Sequence, residues 1–423
     1  MNQPRFSGAY TDAANWLYRM AREHNGENIR AEVNGADVLL VQRLEDAEHV
    51  LRRRADNYRK NMHWFRHMLG PSRFSEVGEA WEIRRELTQH YLAKFDRERT
   101  HGLAVRYADE AVGALAGRSA AGDAVLDESL LRRMTVSVLI ENFFGVPLAE
   151  TRVDIDRLAT LMEFGSEYAF APTVDTSALN HRHLAALPRL RREIFDDFRL
   201  FREGALPDNP MLEGMLAADR DPGNDIMLEH ELLTFFAAGA ETTASGIGWA
   251  CYLLARHPDV QRGLRDALAP FWESPRRDWA HLSTIAPLEA FVSEALRLYP
   301  PTPLVTRLAT GPDRIGDHAI AEGDNIFVSI PGVQHDARLH PDPWALHLDR
   351  YRNNASAGSN IAFIFGPRVC GGKKFALVEL AAFVATFLKR ADFALTSDAP
   401  PRFHWKSLML REGGQPVRVT LRD

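Results

Sequence analysis

Residues 363–376 read Phe-Ile-Phe-Gly-Pro-Arg-Val-Cys-Gly-Gly-Lys-Lys-Phe-Ala and place Cys370, one of only two cysteines in the chain, between glycine turns and the start of an apolar helix. The N-terminal amides and positive dipole end of that helix point back at the sulfur and favour its thiolate. Gly366 and Gly372 carry no Cβ, so a large flat group can approach the sulfur closely. With the cation Arg368 nearby, the stretch predicts a functional thiolate.

Three interpretations of this cysteine remain open from the residues alone. An isolated cysteine is most often a small buried hydrophobe. A structural zinc site needs four Cys or His ligands, and the sequence has neither Cys-x-x-Cys nor a His pair near Cys370. Haem iron needs only one proximal protein ligand, and a thiolate in that place favours O–O cleavage. The other cysteine, Cys251, has no ligand-type neighbours and is predicted to be structural.

Composition limits the class of protein. The chain has 423 residues, 45% of them hydrophobic and 26% charged, which is enough for a large core in one to three domains. A net charge of −6 without a basic, aromatic-rich run gives no sign of nucleic-acid binding. Two cysteines indicate a reducing compartment. Residues 1–8 carry no apolar segment, so we expect neither signal peptide nor membrane anchor, and a cytoplasmic location.

The most apolar stretch runs from Leu232 to Ala255 and is long enough to span a bilayer. Its middle is unsuited to lipid, since an acid there, Glu241, costs roughly 2.5–3.5 kcal/mol. We therefore expect a helix buried in the centre of the protein. Within it, Thr242 can donate to a carbonyl one turn earlier and bend the helix, and the small residues beside it predict a groove.

Periodicity predicts the remaining elements. A hairpin is expected around Asn34-Gly35, followed by a helix and then a long aromatic loop. The predicted segments are the loop 57–77, helices at 78–95, 129–144, 154–170, 188–202 and 287–299, a looser stretch at 171–188, two strands within 314–330, and a C-terminal hairpin over 406–422 around Gly413-Gly414.

The pattern Phe-x-x-Gly-x-Arg-x-Cys-x-Gly-x-x-x-Ala, present in full at 363–376, resembles the haem-binding signature of the cytochrome P450 family. The resemblance implies a mainly α fold with a small, mostly antiparallel β region and a single haem-containing domain over 1–423. That domain would comprise an N-terminal β-containing lobe (about 1–60), a helical core with the haem site (about 78–390) and the C-terminal hairpin (about 403–423). The chain resembles the soluble, bacterial-type members of the family, although many of these have His where this chain has Trp81, a departure that leaves the subfamily open.

The resemblance also assigns roles to residues. It implies haem b with Cys370 as thiolate ligand, and Thr242 and Glu241 as the alcohol and acid that relay protons for O–O cleavage. Glu294 and Arg297, with Arg350, match a second hallmark that holds the core near the haem loop. The cofactor-binding positions it implies are Cys370, Trp81, Arg85, Arg307, Arg368, Phe363, Gly366, Gly372 and Ala376.

The activity implied is that of a monooxygenase which uses O₂ and receives electrons from NAD(P)H through a separate ferredoxin or flavodoxin and its reductase. Lys373, Lys374 and Arg84 offer a basic patch for an acidic partner, although solvated charges are an equal alternative. We expect a monomer. Phenol coupling, desaturation, nitration, peroxide-driven oxidation and a non-enzymatic haem sensor remain alternatives.

An apolar, aromatic-rich wall is expected around the substrate, which favours a small, mostly apolar or aromatic organic molecule. The candidate wall residues are Trp64, Phe65, Met68, Phe164, Tyr168, Phe235, Ala238, Val305 and Leu408.

Overall fold

The structure, a computed structural model, describes residues 3–123, 125–166, 181–203, 206, 208–351, 358–406 and 408–422, and not the side chains of 63, 64, 165, 166, 181–184 and 406. Most of these residues are helical, which confirms the predicted mainly α fold. The helices are α1 Ala13–His24, α2 Leu44–Glu48, α3 His63–Leu69, α4 Gly78–Ala93, α5 Arg97–Ala120, α6 Glu128–Phe144, α7 Ile155–Ser166, α8 His181–Asp197, α9 Arg199–Arg202, α10 Pro210–Arg220, α11 Leu228–Arg256, α12 Pro258–Glu273, α13 Trp279–Leu282, α14 Ala286–Leu298, α15 Ile330–Gln334 and α16 Lys373–Arg390.

The strands are short. They are β1 Arg5–Phe6, β2 Ile29–Val33, β3 Ala36–Val41, β4 Tyr58–Lys60, β5 Leu304–Ala309, β6 Asp313–Ile315, β7 His318–Ile320, β8 Asn325–Ser329, β9 Ala391–Leu395, β10 Phe403–Lys406, β11 Leu408–Arg411 and β12 Val417–Leu421. A six-stranded sheet has the order β1-β2-β3-β8-β5-β4, with three antiparallel and two parallel pairs. The predicted hairpin joins β2 and β3 through Asn34 (φ 47°) and Gly35 (φ 83°), which confirms that turn.

Local side-chain caps explain where several helices begin. Asp127 accepts from the amides of Ser129 and Leu130 at the start of α6, and Asp96 accepts from the amide of Arg99 at the start of α5. Each cap satisfies amides that have no partner within the helix. At its other end α6 stops at Gly145, whose φ of 76° suits a left-handed C-terminal residue.

The long helix α11 passes through the core, as its apolar stretch predicts. It packs on α6 and α16, and two glycines allow the close approach. A Cβ at Gly239 would lie 2.9 Å from Leu139 of α6, and one at Gly246 would lie 3.4 Å from Leu380 of α16. The central position of α11 therefore depends on residues without side chains at its two contacts.

Part of the predicted loop 57–77 is regular structure, because it contains β4 and α3. The short helix is stabilised by burial: Phe65 and Met68 are 5% and 0% exposed, and Phe65 lies 4.2 Å from the ring of Phe74. The prediction of an irregular loop there was wrong, because a short helix with an aromatic face gives little periodic signal.

Two long helices, α5 and α12, were not predicted. In α5 half of the buried positions are small residues such as alanine and serine, so its buried face gives only a weak hydrophobic periodicity. The looser stretch predicted at 171–188 is also partly wrong, since α8 begins before Pro188 and continues through it. Leu187 and Ile194, buried on one face of α8, show why tertiary packing favours a helix there.

The C-terminal strands pair differently from the prediction. The strands on either side of Gly413-Gly414, β11 and β12, do not form a hairpin with each other. Instead β11 pairs with β10, and β12 pairs with β9, which directly follows α16. The segment 314–330 likewise lies in three strands rather than two, with β6 and β7 forming a separate hairpin at Gly316.

Candidate active site around Cys370 and helix α11

The loop before α16 is shaped by Gly366. Its φ is +81°, and a Cβ there would lie 1.9 Å from the carbonyl oxygen of Leu51, in the π turn at His49–Arg53. The loop closes on itself through the amide of Cys370, which donates to the carbonyl of Phe363 at 3.0 Å. Gly372 differs from Gly366, because a Cβ there would meet nothing within 4 Å. The space that the sequence predicts beside the loop is therefore open at Gly372.

Cys370 is exposed, whereas Cys251 is fully buried within α11. The amides of Gly372 and Lys373 and the guanidinium of Arg73 each lower the pKa of the Cys370 thiol, as the helix terminus predicts. The surrounding protein has the larger effect and raises that pKa, although one side of the residue remains accessible. Burial thus favours the thiol while the helix end and Arg73 favour the thiolate, and a bound metal cation would favour the thiolate further.

Four cations lie together beside this loop, and we call them the cation cluster: Lys60, Arg73, Arg307 and Arg368. Lys60 and Arg307 are direct partners across the β4–β5 ladder, where like charges are destabilising. Burial and the charge of the other cations lower the pKa of Lys60, Arg307 and Arg368. Within the described residues none of the four forms a salt bridge with a carboxylate, and Nη1 of Arg368 is buried without a hydrogen-bond partner. The cluster therefore fits a group with more than one negative charge.

The two predicted residues of α4 lie beside Arg368. The guanidinium carbon of Arg368 is 3.9 Å from the ring centroid of Trp81, and that of Arg85 is 5.6 Å from the same ring. Nη2 of Arg368 also donates to the carbonyl of Glu76 at 2.8 Å. The structure thus brings together three of the predicted cofactor-binding side chains, and burial and the charge of Arg368 lower the pKa of a fourth, Arg307 of β5.

Glu241, Thr242 and Thr243 are consecutive residues of α11, and their polar groups point in three different directions. Thr242 is half-buried, and its hydroxyl donates to the carbonyl of Ala238 at 2.7 Å, as predicted. Ala238 is exposed, so this face of the helix is open. The predicted groove does not extend to Gly239, because Leu139 of α6 fills that side.

Glu241 points instead toward α6. Its Oε1 is 3.8 Å from Nε of Arg132, and the residue is 8% exposed. Burial raises the pKa of Glu241 to about 7, while Arg132 lowers it and Glu128 and Asp156 raise it. A carboxyl with a pKa near neutrality can both accept and release a proton at physiological pH.

The Glu294 network has the arrangement that the resemblance implies. Arg297 donates to both oxygens of Glu294 at 2.5 and 3.0 Å, and Nε of Arg350 donates to Oε1 at 3.1 Å. Glu294 and Arg297 are fully buried, and Arg297 also donates to the carbonyl of Pro343. This network connects α14 to the segment that precedes the Cys370 loop, so its role is structural.

The predicted substrate wall is only partly exposed. Phe65, Met68 and Leu408 are buried in the packed core. Phe164, Phe235 and Val305 are partly buried and Ala238 is exposed, so these four remain candidates. Tyr168 and the side chain of Trp64 lie outside the described residues. The other loop positions, Phe363 and Ala376, lie in the Cys370 loop and the first turn of α16.

Arg84 does not belong to a surface patch, and that part of the predicted partner surface was wrong. It is 1% exposed and pairs with Glu231 of α11 at 3.1 Å and with Asp225 at 2.5 Å. Lys373 and Lys374 are exposed as predicted. The exposed side of α4 instead carries three acids, Glu79, Glu82 and Glu86.

Sequence reasoning missed Lys60, Arg73 and Arg132. Their neighbours are distant in the chain: Lys60 meets Arg307 across a ladder, and Nη1 and Nη2 of Arg73 donate to Thr88 and Gln89 of α4. Arg73 also lies against Gly371, where a Cβ would be 2.7 Å from Nη2. The one signal in the sequence was that Lys60 and Arg73 lie in the aromatic-rich segment 57–77.

A sequence model of the cytochrome P450 family matches residues 8–418. The chain belongs to the cytochrome P450 family. Among curated relatives, cytochrome P450 4F12 of Homo sapiens is 34% identical over 215 residues, 48% of this chain and 41% of that protein. Cytochrome P450 monooxygenase sphH of Aspergillus fumigatus is 36% identical over 206 residues, 45% of this chain and 37% of that protein.

Leukotriene-B4 omega-hydroxylase 3 of Mus musculus is 33% identical over 215 residues. These matches span about two fifths of the length of each of the three relatives. Within the described residues of this cytochrome P450, the helices are too short or too polar to cross a membrane.

Proposed function

We propose that this cytochrome P450 is a haem-thiolate monooxygenase that inserts one atom of O₂ into an organic substrate. The observation that carries the proposal is the cation cluster beside the exposed Cys370. Four crowded cations, with no salt bridge to a carboxylate among the described residues, are costly, and a dianionic group such as haem with its two propionates would explain them. Arg73 contributes to the pKa of both the Cys370 thiol and Lys60, which links the sulfur to the cluster.

Haem bound in this site would supply the activation of oxygen, and the Cys370 sulfur would hold it as a thiolate. Arg307, Arg368 and Lys60 would hold the propionates, and Trp81 packs the Arg368 guanidinium in place. Because Gly372 has no Cβ, the space beside the Cys370 sulfur stays open. On α11, the Thr242 hydroxyl lies on the open face. Glu241, the preceding residue, would accept and release the protons that the reaction needs.

The substrate is proposed to be a small, mostly apolar or aromatic molecule. Phe164, Phe235, Ala238 and Val305 are the partly exposed members of the predicted wall, and none carries a charge. A relative named as a leukotriene-B4 omega-hydroxylase supports an apolar substrate chain, although its match covers 41% of that protein.

Electrons are proposed to come from a separate ferredoxin or flavodoxin with an NAD(P)H-dependent reductase. Lys373 and Lys374 are exposed at the start of the helix that follows Cys370. Because Glu79, Glu82 and Glu86 lie on nearby α4, the surface offers both signs of charge. We therefore expect only a modest salt dependence of the reduction rate.

The test is the spectrum of the reduced protein with carbon monoxide, which distinguishes thiolate-ligated haem by its red-shifted Soret band. Wild type should show this band, and Cys370→Ala should lose it. Cys251→Ala is the matched control, because that thiol is buried in α11 and should leave the band unchanged. Absence of the band in wild type, or its survival in Cys370→Ala, would refute the proposal.

A further inference from the structure

Glu379 is a carboxyl buried between α16 and α11, outside the residues assigned so far. It is 1% exposed, and its Oε2 lies 3.3 Å from the hydroxyl of Thr243. Its Oε1 has no hydrogen-bond partner in the described part of the chain. Burial raises the pKa of Glu379 well above the usual range, and only the Thr243 hydroxyl opposes that effect. In the described part of the chain no cation opposes this effect, so burial favours the neutral, protonated form of Glu379.

This contact joins the two elements on which the site depends. The helix α16 continues directly from the Cys370 loop, and Thr243 directly follows Thr242. The helices are close at this point, since a Cβ at Gly246, one turn beyond Thr243, would lie 3.4 Å from Leu380. A hydrogen bond therefore connects α16, the helix that follows the Cys370 loop, with the residue next to the predicted catalytic hydroxyl.

Thr242 lies between two residues of α11 whose side chains have partners on neighbouring helices. Successive side chains of a helix are about 100° apart. Glu241 is directed to Arg132 of α6 and Thr243 to Glu379 of α16, which leaves Thr242 on the open face. A rotation of about 15° would move a hydroxyl some 4–5 Å from the axis by about 1 Å. Misplacement by about 1 Å can cost about 100-fold in rate.

Stability gives no reason for an acid at this position. Apolar residues of similar volume often replace buried polar groups without loss of stability, and Glu379 satisfies only one of its two oxygens. We propose that Glu379 is a positioning residue, whose buried hydrogen bond with Thr243 sets the rotation of α11 and hence the place of the Thr242 hydroxyl. This inference rests on the proposed monooxygenase function.

Three variants test it in the haem-loaded protein: Glu379→Gln, Glu379→Leu and Thr243→Val. The carboxamide oxygen of Gln can still accept from the Thr243 hydroxyl, whereas Leu and Val remove the bond with little change in volume. With a substrate identified by its spin-state shift, the measurement is product formed per electron pair consumed. Glu379→Gln should stay within about 2-fold of wild type, while Leu and Val should each fall about 3- to 10-fold. The double variant Glu379→Leu/Thr243→Val should fall no further than either single variant, because both changes remove the same hydrogen bond.

Two further readouts do not depend on turnover. The infrared carbonyl band of a protonated carboxyl should be present in wild type and absent in Glu379→Gln. Hydrogen exchange of the backbone amides around Thr243 should be faster in Thr243→Val than in Glu379→Gln. Full coupling in the Leu or Val variant, or no protonated-carboxyl band at Glu379, would overturn the inference. Loss of the carbon monoxide band in wild type would instead refute the monooxygenase proposal, and these two readouts would still test the contact.

Discussion

Replacing Gly366 by alanine tests how the Cys370 loop is held. Two separate costs are expected at this position. Its φ of +81° is left-handed, which costs an alanine about 1–2 kcal/mol. Its Cβ would also lie 1.9 Å from the Leu51 carbonyl oxygen, a backbone atom, so the loop or the π turn must shift at a cost of about 1–3 kcal/mol. We expect Gly366→Ala to lose about 2–5 kcal/mol of unfolding free energy.

Two other glycines separate these costs. Gly413 has a φ of +75° and open space around its Cβ position, so Gly413→Ala should lose only the backbone contribution of about 1–2 kcal/mol. Gly372 has a φ of −86° and open space as well, and Gly372→Ala should be neutral or gain about 0.4–1 kcal/mol.

The assay is urea unfolding of the haem-free wild type and the three haem-free variants, followed by circular dichroism. The order of loss should be Gly366→Ala, then Gly413→Ala, then Gly372→Ala. A Gly366→Ala variant no less stable than Gly413→Ala would refute the reasoning, because it would show that the Leu51 contact does not constrain the loop.

Other variants probe the charges around the site. Burial raises the pKa of Glu241 to about 7, so the folded protein favours the protonated carboxyl, and wild type loses stability as pH rises from about 4.5 to 7. Glu241→Gln does not titrate and should therefore become more stable relative to wild type over that range. The measurement is urea unfolding at a series of pH values. Glu294→Gln leaves Arg297 buried at 0% exposure with a weaker partner, and should cost about 3–5 kcal/mol in urea unfolding; an unchanged midpoint would contradict the structural role. Lys60→Met removes a cation that faces Arg307, so it should raise the unfolding free energy of the haem-free protein and speed the transfer of haem to an acceptor. A variant that is more stable without haem and also holds haem as tightly as wild type would argue against the cluster as an anion site.

Much of the site was predictable because it is local in sequence. The Cys370 loop, the Thr242 back-bond to Ala238 and the turn at Asn34-Gly35 each depend on residues within a few positions of one another. The buried course of α11 was predictable for the same reason, since a long apolar run with one acid has few other solutions.

Surroundings that come from distant parts of the chain were not predictable. Arg84 looked like a surface charge, yet it is buried because Glu231 of α11 reaches it. The strands near Gly413-Gly414 looked like one hairpin, yet β12 finds its partner in β9. In both cases local pattern allows several partners, and only packing selects one.

By itself the sequence determined the family resemblance, the Cys370 loop and the buried course of α11, because these depend on motifs and periodicity along the chain. Only the tertiary structure decided the electrostatics. It gathered Lys60 and Arg73 with Arg307 and Arg368, raised the pKa of the Cys370 thiol by packing protein around it, and placed Glu379 against Thr243. The physical reason is that burial and charge depend on which side chains meet in space, and residues far apart in sequence supply most of those neighbours.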